Sequence, residues 1–146
     1  MPVADRSFRF PRTARLKRQR LIRPLFDRTR TDVGRLDAGV VHLRYRIVPR
    51  EEVGTDASVQ IGFAPGRRAR THVGRNRLKR LMRESYRQHQ HGLAECFADR
   101  PDTLTVMVLF RGNEVTATED LRRDLPAALR RLEARLCTDN TPSTRE

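Results

Sequence analysis

The chain has 146 residues, with 31 Lys or Arg against 18 Asp or Glu and a formal net charge of +13. That length makes one domain with a real core and excludes two, and such a charge sets a compact monomer against itself unless a polyanion neutralises it, nucleic acid first and an anionic membrane surface second. No apolar run approaches the ~20 residues of a bilayer span, and the start MPVADRSFRFPRTAR lacks the apolar centre of a secretory signal.

Residues 1–9 read as a basic arm. The pattern LKRQRLIRPLFDR within residues 13–28 predicts a helix with Leu16, Leu21, Ile22, Leu25 and Phe26 on its apolar side. Pro24 calls for a kink or a fresh start there, because it removes a hydrogen bond and crowds the preceding turn. Residues 41–48 alternate, with Val41, Leu43, Tyr45 and Ile47 on one face and His42, Arg44 and Arg46 on the other, which is a strand with one apolar face. Pro49 and a polar loop follow. A second strand over 58–63 sets Val59, Ile61 and Phe63 together, and the two strands are expected to pair as an antiparallel hairpin.

The segment GRRARTHVGRNRLKRLMRESYRQHQ, residues 66–90, is the densest stretch of charge: nine Lys or Arg between Arg67 and Arg87 against the single acid Glu84. At about 100° per residue, Leu78, Leu81, Met82 and Ser85 share one stripe with Tyr86 at its margin, while Asn76, Lys79, Arg80, Arg83 and Arg87 lie opposite. The helix should start near Thr71 or His72 and run to about His89, with one face for protein and one for a polyanion. Beyond Gly92 a loop leads to Pro101. Residues 103–110, TLTVMVLF, are apolar on both faces and predict a central, doubly covered strand. Thr116 followed by Glu119 has capping-box spacing. Leu121, Leu125, Leu129, Leu132 and Leu136 then form a stripe, with Arg130, Arg131 and Arg135 suited to the helix dipole. Pro126 predicts a kink or a late start, and residues 138–146 form a polar tail.

Residues 73–87, VGRNRLKRLMRESYR, resemble the signature of the bacterial ribonuclease P protein subunit: Arg75-Asn76-Arg77, Lys79-Arg80 and Arg83-Glu84, with the lead-in Arg67-Arg68-Ala69-Arg70 at the right distance. FPRTARLK from Phe10 and LIRPLF from Leu21 resemble the family's N-terminal helix, and the likeness spans roughly residues 10–137. It implies an α+β fold, an α-β-β-α-β-α two-layer sandwich with one small mixed sheet and a left-handed βαβ crossover through the basic helix. The general rule for such connections favours the opposite hand. The expected layout is a basic arm over 1–9, an RNA-binding domain over 10–137 and a tail over 138–146.

The resemblance also implies the function: a subunit that pairs with a large catalytic RNA and assists removal of the 5′ leader from precursor tRNA. The RNA and substrate would hold Mg²⁺, and the protein would hold no catalytic residue. Arg67, Arg68, Arg70, Arg75, Asn76, Arg77, Lys79, Arg80, Arg83 and Arg87 are the expected contacts to the catalytic RNA. Ile22, Phe26, Leu43, Tyr45 and Ile47 are the expected lining of a leader cleft between the first helix and the sheet, with either Tyr45 or Ile47 in the place usually held by tyrosine. The chain departs from the family at Ala69, where a larger residue is common, and at Ile22, where many members have a first phenylalanine four before the second. Thr29-Arg30-Thr31 also replaces a usual glycine.

Other readings compete. His89 and His91 near Cys96 do not share a helix face and lack a fourth ligand, so zinc is not expected. Glu84 pairs by spacing with Arg80 or Arg87, and no second carboxylate or nucleophile accompanies it. Cys96 and Cys137 imply no disulfide framework, so a reducing cytoplasm is the expected location. No membrane and no obligate protein partner are inferred. A structural RNA-binding protein, ribosomal or chaperone, is the alternative; a DNA-reading helix lacks a helix-turn-helix partner or dimer seam.

Overall fold

The computed structural model describes residues 10–67 and 69–137. The basic arm 1–9, Arg68 and the tail 138–146, all named above, lie outside the described residues. The elements run α1 (Gln19–Ile22), β1 (Gly34–Ala38), β2 (Val41–Pro49), α2 (Arg50–Val53), β3 (Val59–Ala64), α3 (His72–His89), α4 (His91–Ala98), β4 (Asp102–Phe110) and α5 (Ala117–Cys137).

One mixed sheet has the order β1-β2-β4-β3, with β2 antiparallel and β3 parallel to β4. The expected hairpin between β2 and β3 therefore does not form, because β4 lies between them. The reason is in β4 itself: every residue from Thr103 to Phe110 is buried, and such a strand needs neighbours on both edges and cover on both faces. Thr103 and Thr105 sit in that interior with their hydroxyls donated to the carbonyls of Ala57 and Arg46, each at 2.8 Å. The hairpin that does form joins β1 to β2. Its turn starts at Gly39, whose φ of +58° places it in the left-handed region. A side chain at Gly39 would also strike the Asp124 carboxylate, which accepts the Val40 N–H at 3.0 Å. Arg123 and that N–H hold the Asp124 carboxyl below the usual carboxylate range.

Two apolar clusters pack on the two faces. Val41, Leu43, Tyr45, Val106, Val108 and Phe110 meet the inner sides of α3, α4 and α5. On the other face Val48, Met107 and Leu109 meet Leu16, Leu21, Leu25 and Val53. The expected helix over 13–28 is broken into pieces: a 3-10 turn at Arg12–Ala14, α1, and a second 3-10 turn at Arg23–Phe26 with Pro24 in its first turn. Between the first two pieces Leu16 N–H donates to Ile61 O at 3.0 Å and Arg15 bridges Ile61. The segment thus covers the outer edge of β3, and an extended stretch cannot also be helix. Pro24 marks the fresh start that its chemistry predicts.

Three further elements were not expected: β1, in a stretch given no assignment, and, in expected loops, α2 after Pro49 and α4, which buries Leu93 and Phe97 at helical spacing. α5 runs unbroken through Pro126, so no late start occurs. The Thr116 hydroxyl donates to Asp120 Oδ2 at 2.7 Å in place of a capping box, and a 3-10 turn capped by Asn113 leads the helix in. Arg131 and Arg135 do more than face the helix dipole: they donate to the carbonyls of Asp37 and Arg35 on β1, at 2.9 and 2.8 Å. The cysteines are paired, which corrects the expectation that they imply no disulfide. Cys96 of α4 and Cys137 at the end of α5 form a disulfide with Cα atoms 5.9 Å apart.

Candidate RNA interface

α3 is set by local chemistry. Thr71 caps its start, accepting the Gly74 N–H at 2.9 Å. Its buried residues are Gly74, Leu78, Met82 and Tyr86, a strict four-residue repeat of which Leu78, Met82 and Tyr86 join the core cluster. Tyr86, expected at the margin, is central: it is 1% exposed and forms edge contacts with Phe10 and tilted contacts with Phe63. Burial alone pushes its hydroxyl pKa up. Leu81 and Ser85 flank the stripe half-buried.

The basic residues of this region divide by what they touch. Arg75 turns back to the lead-in, donating to Gly66 O at 2.7 Å and Ala69 O at 3.2 Å. Ala69 itself is buried, so the small residue at this departure from the family pattern fits a closed space. Arg77 reaches Thr118 Oγ1 at 3.1 Å, and Asn76 Nδ2 lies 3.2 Å from His72 Nε2. Arg87 pairs with Glu84 at 2.8 Å, as one of the two expected pairings. Arg83 is half-buried and its Nε has no acceptor in the described protein. Arg67, Arg70 and Arg80 are exposed and Lys79 half-exposed. Lys79 and Arg80 make no hydrogen bond or ion pair among the described residues. The outer face of α3 thus presents charge without internal partners, beside arginines that brace the fold.

A groove of about 660 Å³ lies elsewhere, lined by Phe26, Arg28, Arg44, Gly66, Arg67, Leu109, Phe110 and Arg111. Phe26 is 41% exposed, and the Arg44 guanidinium lies 5.3 Å from its ring centroid. Burial, then Arg35, Arg111 and Arg28, pull the Arg44 pKa below its usual value; the cations stand close enough to repel one another. An open aromatic ring amid fixed cations can stack an unpaired base and hold its phosphates. Gly66 forms the wall that joins this groove to α3. Its φ is +86°, a side chain there would strike Phe110 O, and its carbonyl is the one that Arg75 clasps.

Of the expected cleft residues, only Phe26 lines this groove. Ile22 packs half-buried against the cluster behind it. Leu43 and Tyr45 point through the sheet to the other face: Leu43 is 1% exposed, and Tyr45 Oη accepts from Arg135 of α5 at 2.9 Å. Ile47 follows the same alternation and is 41% exposed, away from Phe26. The structure therefore does not bring Tyr45 and Ile47 into a cleft with Phe26, and Leu43 borders only a smaller hollow beside the groove. The β2 residue that lines the groove is Arg44, on the face the sequence marks as charged. Its row, His42, Arg44 and Arg46, was the available signal: a strand in a small domain that alternates apolar with cationic residues keeps the cationic face for a wet surface. No set of three or more His, Cys, Asp or Glu side chains gathers as a metal site among the described residues, and no described helix is long and apolar enough to cross a membrane.

The sequence model of the ribonuclease P family matches residues 10–133. No curated protein sequence matches significantly. Among solved structures, the chain is similar to the Staphylococcus aureus RNase P protein, at 14% identity and TM-score 0.52, covering 79% of this chain and 94% of that one. A mutant of the S. aureus protein with defective mRNA degradation activity aligns at 13% identity and TM-score 0.57, over 82% and 88%. The RNase P protein from Thermotoga maritima aligns at 20% identity and TM-score 0.52, over 84% and 96%. These likenesses establish the shared α+β fold. With the family match running from Phe10 through the Arg-Asn-Arg helix to α5, the chain belongs to the ribonuclease P protein family.

Proposed function

We propose that the chain is the protein subunit of a ribonuclease P ribonucleoprotein, docking on the catalytic RNA through the outer face of α3 and holding the single-stranded 5′ leader of precursor tRNA in the Phe26–Arg44 groove. Family membership implies an RNA partner and a place in tRNA processing. The observation that carries the finer reading is the existence of two chemically different cationic surfaces. Lys79 and Arg80 offer charge without aromatic neighbours, which suits the backbone of folded RNA; the groove pairs an open phenylalanine with arginines, which suits unstacked bases.

In this reading the protein binds and orients. Arg75 and Gly66 fix the lead-in so that Arg67 reaches the groove while Lys79 and Arg80 stay on the helix face, and so hold the leader at a set position relative to the catalytic RNA. Mg²⁺ supplies Lewis-acid chemistry to the phosphodiester when bound by RNA and substrate, and no residue of this chain is assigned to it.

The test is reconstitution. The purified chain, a bacterial ribonuclease P RNA and a precursor tRNA are combined at low Mg²⁺, and cleavage at the mature 5′ end is followed. Stimulation over RNA alone is expected. Binding to the RNA without stimulation would favour a purely structural RNA-binding role and overturn the proposal.

A further inference from the structure

Beside the Phe26 groove is a smaller pocket of about 280 Å³, lined by Arg28, Arg35, Arg44 and Arg111 with His42, Asp37 and Leu43. Arg28, Arg44 and Arg111 belong to both hollows, so the two form one continuous track across β2. Their chemistry differs. The groove has Phe26, Leu109 and Phe110; the pocket has no aromatic ring on which to stack a base, and its walls are mostly polar. Four guanidinium groups converge there against one carboxylate, and that carboxylate is engaged: Asp37 Oδ1 lies 2.7 Å from His42 Nδ1. The contact orients the imidazole and leaves its Nε2 as the second polar atom of the ring. Mutually repelling cations, two of them (Arg35 and Arg44) opposite one another on paired strands, are relieved when an anion enters, and planar guanidinium forks match phosphate oxygens.

We propose that this pocket is a phosphate subsite for the leader RNA, reached only when the leader extends beyond the nucleotide stacked at Phe26. It rests on the leader-binding reading of the groove. The group bound is an RNA phosphate, either an internal diester of a longer leader or the terminal monophosphate of a leader that ends there. Arg35 and His42, which do not line the groove, are the residues particular to this subsite; Asp37 positions His42 and tempers the positive field.

The reconstituted holoenzyme tests this with precursor tRNAs whose leaders are lengthened one nucleotide at a time, each carrying a 5′-hydroxyl or a 5′-monophosphate. For the unaltered protein, affinity should rise in a step once the leader passes the groove. Arg35→Ala should reduce that step by roughly threefold to fivefold, and make its salt dependence shallower by about 0.7 for the lost single-strand phosphate contact. Asp37→Asn, which keeps a hydrogen-bonding oxygen but loses the opposing charge, should enlarge the step. A step present with both 5′ ends identifies an internal diester, and one confined to 5′-monophosphate leaders of a single length identifies the terminal group. Equal effects of Arg35→Ala at every length, mature tRNA included, would reduce the pocket to general surface attraction and overturn the subsite. No effect at any length would overturn it too. Phe26→Ala separates the two readings: if it responds while Arg35→Ala is silent, only the subsite falls, and if it is silent for every leader, the groove reading falls first.

Discussion

The outer face of α3 and the Phe26 groove are both cationic, yet they are built in opposite ways. On α3 the charges stand on one helix, spaced by its own repeat, above a stripe of Gly74, Leu78, Met82 and Tyr86 that any amphipathic helix could use to seat itself. In the groove the charges come from four separate stretches: Arg28 after α1, Arg44 on β2, Arg67 before α3 and Arg111 after β4. The first surface needs only secondary structure to exist. The second exists only when the sheet is assembled, and in return it surrounds its guest with an aromatic ring and several guanidinium groups at once. A polyanion's backbone can be met by a row of charges; an unpaired base needs a walled site.

The sharpest way to break this comparison is at the residue that connects the two surfaces. Gly66→Ala puts a side chain where φ is +86° and against Phe110 O, so it should lower unfolding stability by about 1–3 kcal/mol, measured by denaturant titration. It should also weaken both leader and catalytic-RNA binding, because Arg67 and the Arg75 clasp share that turn.

Phe26→Ala should act on one surface alone. Loss of a base–aromatic stack, worth ~1–3 kcal/mol, should weaken precursor tRNA binding while mature tRNA binding stays constant. Equal loss for both would mean simple destabilisation.

On the helix, Arg80→Ala should weaken binding to the catalytic RNA with a salt slope shallower by up to about one unit, and leave thermal unfolding unchanged because Arg80 has no hydrogen-bond or ion-pair partner among the described residues. Arg75→Ala should differ, lowering the unfolding midpoint as well as the affinity, because it removes the donors to Gly66 O and Ala69 O. Identical behaviour of the two variants would erase the distinction between docking and bracing arginines.

The smallest effect is expected at Tyr45. Tyr45→Phe removes the acceptor for Arg135 beneath α5 and should cost about 1 kcal/mol of stability, with no change in leader affinity at any length. A leader-specific loss would return Tyr45 to the cleft and reverse the face assignment of β2.

How much of this was legible depended on the range of the interactions involved. α3 was readable almost to its ends, because Thr71 capping and a four-residue repeat act within one or two turns. β4 was readable as central, because an apolar residue at every position needs cover on both faces. The alternation of β2 was also correct, but which face belonged to the groove was not, because alternation separates two faces without saying what lies over each. The apolar row of Val41, Leu43 and Tyr45 went under the helices, where most apolar area is available to bury it, and the row with Arg44 was left toward Phe26. β1 escaped notice since Leu36 and Ala38 are its only buried positions. The N-terminal segment escaped because its main-chain bonds go to Ile61, far along the chain.

The sequence by itself determined the two-faced basic helix, the doubly buried strand, the excess of positive charge that asks for a polyanion, and the motif that places the chain in its family. Each depends on residues close together in the chain or on composition alone. Tertiary structure alone decided that β4 separates β2 from β3, that Cys96 meets Cys137, and that Phe26, Arg44, Arg67 and Arg111 share one groove. Those outcomes depend on which elements cover which faces, and that competition for buried area is resolved only when the whole chain packs.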